Sequence, residues 1–121
     1  MTDIMGNLLH IKVHAANIHD TVAGSAIVKA TLVKYPAIKG ICGDAGYRGT
    51  FVLETKQLGL SADISERINP GWGILPKRWR VERTFGWANA SRRLSKDYEI
   101  SAVSAENMFI ISHLATLLRR I

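Results

Sequence analysis

The spacing of apolar residues switches repeatedly along this chain, between a period of two and a period near 3.6. That switching constrains the fold more than any other feature. Leu9, Ile11 and Val13 alternate as in a strand, whose successive side chains point to opposite faces. Met1 to Gly6 before them reads as a turn, with Gly6-Asn7 its strongest signal. From Thr21 to Lys34, Ala23, Ala26, Ile27, Ala30 and Val33 recur at helical spacing, and Asp20 is placed to cap that helix by accepting a backbone N–H. Pro36 ends it by disfavouring helical geometry at Tyr35. The run from Ile38 to Asp44 reads as a short buried strand, Thr50 to Leu58 as a helix capped by Thr50, and Leu60 to Ser65 as a short alternating strand. After a loop at Asn69 to Gly73, a helix begins at Pro76, whose missing N–H costs nothing in a first turn, and runs to about Leu94. The last helix spans about Ser104 to Arg120, with Ile110, Leu114, Leu117 and Ile121 on one stripe. The apolar run from Met108 to Leu118 is expected to be core, and Arg119-Arg120 sit at the negative end of the helix dipole. Strand, helix, strand, helix, strand, helix is an α/β pattern, a largely parallel sheet with helices against it.

A length of 121 residues suits one domain and not two. A hydrophobic content of 47% with 21% charged residues is that of a soluble globular protein able to bury a core. Cys42 is the single cysteine, so no internal disulfide forms, and its apolar surroundings suggest a small buried residue. No apolar run reaches the roughly 20 residues of a membrane span, and MTDIMGNLLH lacks the basic and apolar regions of a signal peptide. The expected location is cytoplasmic, with no membrane partner.

The net charge of +6 favours an acidic partner such as nucleic acid. Residues 1–60 carry six Lys and Arg against four acids, residues 61–121 ten against six, so the second half holds +4 of the surplus. Seven of those cations fall between Lys77 and Lys96, with Glu82 the one carboxylate among them. A helix this basic faces a polyanion. Its lone acid is either an ion-pair partner or the ligand of something that must sit beside the polyanion, and a divalent metal fits the second description.

Two carboxylates therefore carry two readings each. Asp44 ends a strand, where open α/β sheets gather functional groups, yet Asp-x-Gly also simply starts turns. Glu82 lies four residues after Arg78 on one helical face, a surface ion pair; brought to the strand end, it could share a hard divalent cation with Asp44 through oxygen ligands.

The segments GDAGYRG, RWRVERTFGW and RRLSKDYE, in that order, resemble the DDE transposases of bacterial insertion sequences, in the insertion-sequence-four and -five grouping. The opening MTDIMGNLLHIKVHAANIHDT is similar to them as well, so the resemblance covers nearly the whole chain. It implies an RNase H-like fold and phosphoryl transfer on DNA, in which three carboxylates hold two Mg²⁺ or Mn²⁺ ions that activate a water or 3′-hydroxyl and stabilise the leaving oxygen. It also implies that Asp44 is the second catalytic and metal-binding acid, that Glu82 is the third, and that Arg78 lies near DNA phosphates. Arg80, Arg83, Arg92, Arg93 and Lys96 join Arg78 as expected DNA contacts at the element ends.

The departures are specific. The family's first aspartate lies upstream of the segment that MTDIMG resembles, and Asp3 occupies a turn position that does not replace it. Leu75 stands where a tyrosine is expected, and Asn89 where a lysine is. The expectation for residues 1–121 is thus the C-terminal portion of a transposase catalytic domain. This is a partial RNase H-like α/β fold lacking the first strand and most of the second. The chain would be a remnant or one half of a split enzyme, inactive alone, with a second polypeptide as the candidate source of its missing part. The alternative is a non-catalytic DNA-binding protein or transposition inhibitor using the basic helix of residues 77–96. His10 and His14 read as polar residues on a solvated face rather than a zinc site. Trp79 and Trp87 read as packing the basic helix onto the sheet, and Trp72 as a loop anchor, with base stacking the other possibility.

Overall fold

The computed structural model describes residues 1–65, 79–96 and 98–121. They form two compact units, Ala15–Trp79 and Met1–His14 with Arg80–Ile121. The expected loop at Asn69 to Gly73, Trp72, Leu75 and the helix start at Pro76 to Arg78 lie outside the described residues.

The Ala15–Trp79 unit carries α1 (Asp20–Lys34), β1 (Gly40–Gly43), α2 (Thr50–Gln57) and β2 (Ser61–Ile64). The strands pair in parallel, from Gly40 beside Ser61 to Gly43 beside Ile64. Parallel neighbours need a crossover, and α2 provides it. Packing joins α2 to both α1 and β2. Val28, Ile41, Phe51 and Leu60 are the buried apolar side chains of this unit. Buried Thr31 and Thr55 satisfy their hydroxyls locally by donating to the carbonyls of Ile27 (2.7 Å) and Val52 (2.9 Å). A Cβ on Gly24 of α1 would come within 2.6 Å of the Tyr47 ring, so that position is open for Tyr47 and Phe51, whose centroids are 5.0 Å apart.

The close of α2 is fully accounted for by its backbone. Gly59 has φ +76°, a left-handed conformation that glycine adopts without a Cβ penalty. Gly59 N–H then donates to the Lys56 carbonyl and Leu60 N–H to that of Thr55, the paired bonds of a Schellman ending with buried Leu60 as its apolar contact.

Several expectations are corrected in this unit. His19, not Asp20, caps α1, accepting from Thr21 N–H, and Asp20 instead places its charge in the first turn, where the dipole favours it. Gly49, not Thr50, caps α2, without a side-chain bond. The buried face of α1 runs through Gly24, Val28 and Thr31, while Val33 is exposed. Cys42 is exposed, because period two turns Ile41 inward and leaves Cys42 on the opposite, open face of a two-stranded sheet.

The second unit opens with a turn. Asp3 Oδ1 accepts the backbone N–H groups of Met5 and Asn7, both at 2.8 Å, and Oδ2 accepts from the Asn7 amide. Gly6 reverses the chain at φ +83°, and Thr2 forms an antiparallel bridge to Leu8. Beyond that bridge the strand expected over Leu8 to His14 does not form. Leu9 and His10 N–H donate to the Met1 carbonyl, and two further donors find side chains. Leu8 N–H donates to His113 Nε2 (2.9 Å) and Val13 N–H to Glu106 Oε1 (2.8 Å), both acceptors lying on α4 (Ala102–Leu118).

The basic helix, α3 (Trp79–Asn89), stops five residues short of Leu94. It gives way to turns closed by Ser91 N–H on the Ala88 carbonyl and Leu94 N–H on that of Ser91. The Ser91 hydroxyl bonds that of Ser112 on α4, and Phe85 meets Phe109 edge to face at 6.0 Å. α4 begins at Ala102 behind a Ser101 cap. Its apolar stripe is not core: Ile110, Ile111, Leu114 and Leu118 are 48–61% exposed, while Ser112 and His113 are buried. The helix turns its polar-bonded face inward because that face supplies acceptors to the N-terminal segment. Among the described residues no helix is long and apolar enough to cross a membrane.

Candidate functional site

Asp44 follows the last residue of β1, at the carboxyl end of the strand, as expected. Its Oδ1 accepts the Gly46 N–H at 2.9 Å, and the residue is exposed. The turn-forming role is thus realised, at a position from which a carboxylate faces solvent. Tyr47 stands three residues on. Burial pushes its phenol above the ordinary range, and the negative charges of Asp20 and Asp44 push it further. Asp20 therefore shares the electrostatic surroundings of Tyr47 with Asp44, a juxtaposition that the sequence reading missed when it treated Asp20 only as a cap.

Glu82 lies in the first turn of α3, exposed, in the other unit. The cations around it divide into two sets. Arg83 Nη2 donates to the Met5 carbonyl at 2.6 Å, and its guanidinium lies 5.2 Å from the Trp87 ring centroid. Arg93 Nε donates to Glu99 Oε1 at 2.6 Å, and Glu99 also accepts from the Ser104 hydroxyl. Hydrogen bonds from Arg93 and then Ser104 hold the Glu99 carboxyl below its usual range. These two arginines brace the unit. Arg92 and Lys96 are exposed in the turns after α3, Arg80 is half-buried on it, and no ion pair among the described residues engages the three. Arg78 lies outside the described residues.

Trp87 packs within its own unit. His113 lies beside it and the Arg120 guanidinium 4.7 Å from its centroid. Trp79 is 42% exposed. A groove beside Trp87, Ser91 and Ser112 is edged by Arg119 and Arg120, adding two cations that sequence reasoning had given only to the helix dipole.

Sequence reasoning also missed Thr84, His113 and Glu106. Buried Thr84 donates to the Gly6 carbonyl at 2.6 Å. His113 is held in its neutral form by burial and then by the Arg120 charge, with Asp3 opposing. The signal that could have found the acceptors is general: an extended segment without a neighbouring strand must bond its N–H groups to something.

Over residues 41–119 the chain matches the family described as the Transposase DDE domain. The matched span is well over half of the sequence and contains both Asp44 and Glu82. The chain belongs to this family of DDE-domain transposases. Membership relates it to RNase H-like proteins that bind DNA and use a divalent metal. No curated protein and no solved structure matches the chain.

Carboxylate oxygens have the right hardness for Mg²⁺ or Mn²⁺. The described residues nevertheless contain no group of three or more His, Cys, Asp or Glu side chains placed to hold a metal ion. Asp44 and Glu82 stand in separate units. Two carboxylates alone, as a donor set, do not amount to a two-ion site.

Proposed function

We propose that this chain is the C-terminal part of the catalytic domain of an insertion-sequence transposase of the four/five grouping. Asp44 and Glu82 are two of that domain's three metal-binding carboxylates. The observation that carries the reading is the family match over residues 41–119, which spans both acids and the basic stretch between Lys77 and Lys96. Arg80, Arg92 and Lys96, with Arg78, contact the phosphates of the element ends. Arg93 joins them by exchanging Glu99 for a phosphate, whereas Arg83 holds the N-terminal turn.

By itself the chain binds DNA and does not cut it, because two carboxylates cannot hold two ions as three do. The test is a nicking assay on DNA carrying element ends, with Mg²⁺ or Mn²⁺. No cleavage is expected from the isolated chain. Robust cleavage that disappears in Asp44→Asn would overturn the two-carboxylate reading. In a parallel binding assay Glu82→Gln leaves affinity intact or raises it, since a carboxylate among phosphate-facing cations opposes a polyanion.

A further inference from the structure

The ends of α3 and α4 border a groove of about 460 Å³, whose walls include Trp87, Ser91, Ser112, Thr116, Arg119 and Arg120. All six belong to one unit, and the volume lies in the range of ligand sites. No carboxylate is among the described residues that line it. The Arg120 guanidinium lies over the Trp87 ring, 4.7 Å from its centroid. That stacking fixes one cation at the groove in advance, so less freedom is lost when an anion binds. Thr116 uses its hydroxyl proton on the Ser112 carbonyl at 3.0 Å. Ser91 and Ser112 bond each other through their hydroxyls. Whichever of the two donates, the proton of the other is left over, and the burial of Ser112 holds the pair in place. The groove thus brings two guanidinium forks and a hydroxyl donor to one space. The end of α4 opposes them with only about half a negative charge, which two full cations outweigh.

We propose that this groove holds one phosphate of a DNA backbone, shared between Arg119, Arg120 and the Ser91–Ser112 hydroxyl pair. A planar carboxylate accepts one bidentate fork. A phosphodiester presents its oxygens tetrahedrally, so two guanidinium groups and a hydroxyl can approach it from separate directions. Successive helical residues, about 100° apart around the axis, supply such directions. Chain continuity favours the same partner. Ser91 is followed directly by exposed Arg92, and exposed Lys96 lies in the same run of turns. A polyanion with a repeating charge engages the groove and these cations together. The contact carries no base preference, because a phosphate presents no sequence information. It rests on the reading of the chain as a DNA-binding protein, and not on Asp44, Glu82 or a metal.

The test uses the full chain and a short DNA duplex of arbitrary sequence. At low salt the duplex should move the amide resonances of Ser91, Ser112 and Thr116 in NMR spectra. Arg119→Ala, at an exposed residue, and Ser91→Asp, which sets a carboxylate against the phosphate, should each weaken binding about tenfold. The Arg119→Ala, Arg120→Ala double variant should lower the salt slope by about one, for the single phosphate shared. Because Arg120 also packs on Trp87, the Arg119→Ala result separates lost binding from lost folding. Binding that keeps its affinity and slope in these variants, or that leaves the three amides unmoved, overturns the groove. If Arg92→Ala, Lys96→Ala still lowers the slope in that case, the DNA-binding reading stands without it. A chain that binds no DNA removes both. Inorganic phosphate or a glutamate-rich peptide that moves the three amides at the same concentration as the duplex also overturns the proposal, as the mark of a free-anion or protein-binding site.

Discussion

The two units solve the same problem by different means. In Ala15–Trp79 the backbone satisfies itself: β1 and β2 exchange ladder bonds, and the end of α2 closes on Gly59 and Leu60. In the unit built from residues 1–14 and 80–121, long-range side-chain bonds do that work. His113, Glu106, Thr84 and Arg83 each hold a backbone group of the first 13 residues. A ladder is insensitive to which side chains surround it, whereas a side-chain clamp fails with one substitution or one proton. The first unit should therefore lose stability through its core and the second through its polar contacts.

The largest effect belongs to the core. Phe51→Ala empties the space against Tyr47 and Gly24 and should cost about 3–5 kcal/mol, read as an earlier urea midpoint for amide protection in residues 20–65. The polar counterpart is smaller. His113→Leu keeps the volume but leaves the Leu8 N–H without its acceptor, at a cost of about 1–3 kcal/mol, read as faster hydrogen exchange in residues 1–14. Equal losses of protection in both units from either variant would erase the contrast.

Acid and base should separate the units as well. The His113 pKa is lowered in the fold, so the folded state takes up its proton later than the unfolded chain. The associated stability is full above the ordinary imidazole value of about 6.5 and drains as pH falls below it, because protonated Nε2 cannot accept from Leu8. Glu106, held low chiefly by the Val13 N–H and secondarily by Lys12, extends that loss below the carboxylate range. At Asp3, burial pushes the carboxyl up, but the Asn7 side chain and the backbone N–H groups of Asn7, Met5 and Gly6 outweigh it and hold it low, so the N-terminal turn also loosens in acid. Tyr47 has the opposite sign. Its raised phenol pKa gives stability below the ordinary phenol range that is lost as pH rises through it. Hydrogen exchange across pH should show residues 1–14 opening first on acidification and the Tyr47 region first in alkali; the reverse order would contradict the assignment. At the small end, Lys29→Ala removes an exposed 3.9 Å pair with Glu54 and should change stability by less than about 0.5 kcal/mol in a thermal melt.

These differences also explain what could be read in advance. From Asp20 to Ile64 the elements follow local periodicity, and Pro36 and Gly59 punctuate them, so their order and near-limits were legible. Leu9, Ile11 and Val13 carried a strand's alternation, but a strand needs a partner, and no local pattern says that Glu106 and His113 will take its donors. The stripe on α4 was legible as a stripe. Which face turned inward was set by polar bonds to residues 8–13 and to Ser91, more than 20 residues away. At the site, the strand-end position of Asp44 was readable. The division of the cations was not, since Arg83 and Arg92 look alike until Met5 and Trp87 are seen beside one of them.

That division is the centre of the account, and the salt dependence of DNA binding tests it most directly. For the intact chain, the logarithm of affinity should fall linearly with that of salt concentration. The Arg92→Ala, Lys96→Ala double variant should reduce the slope by about two, roughly one for each phosphate no longer neutralised, with stability unchanged. Arg83→Ala should instead lower stability and leave the slope as it was. An unchanged slope in the double variant, or a flattened slope with intact stability in Arg83→Ala, would contradict the assignment of these cations.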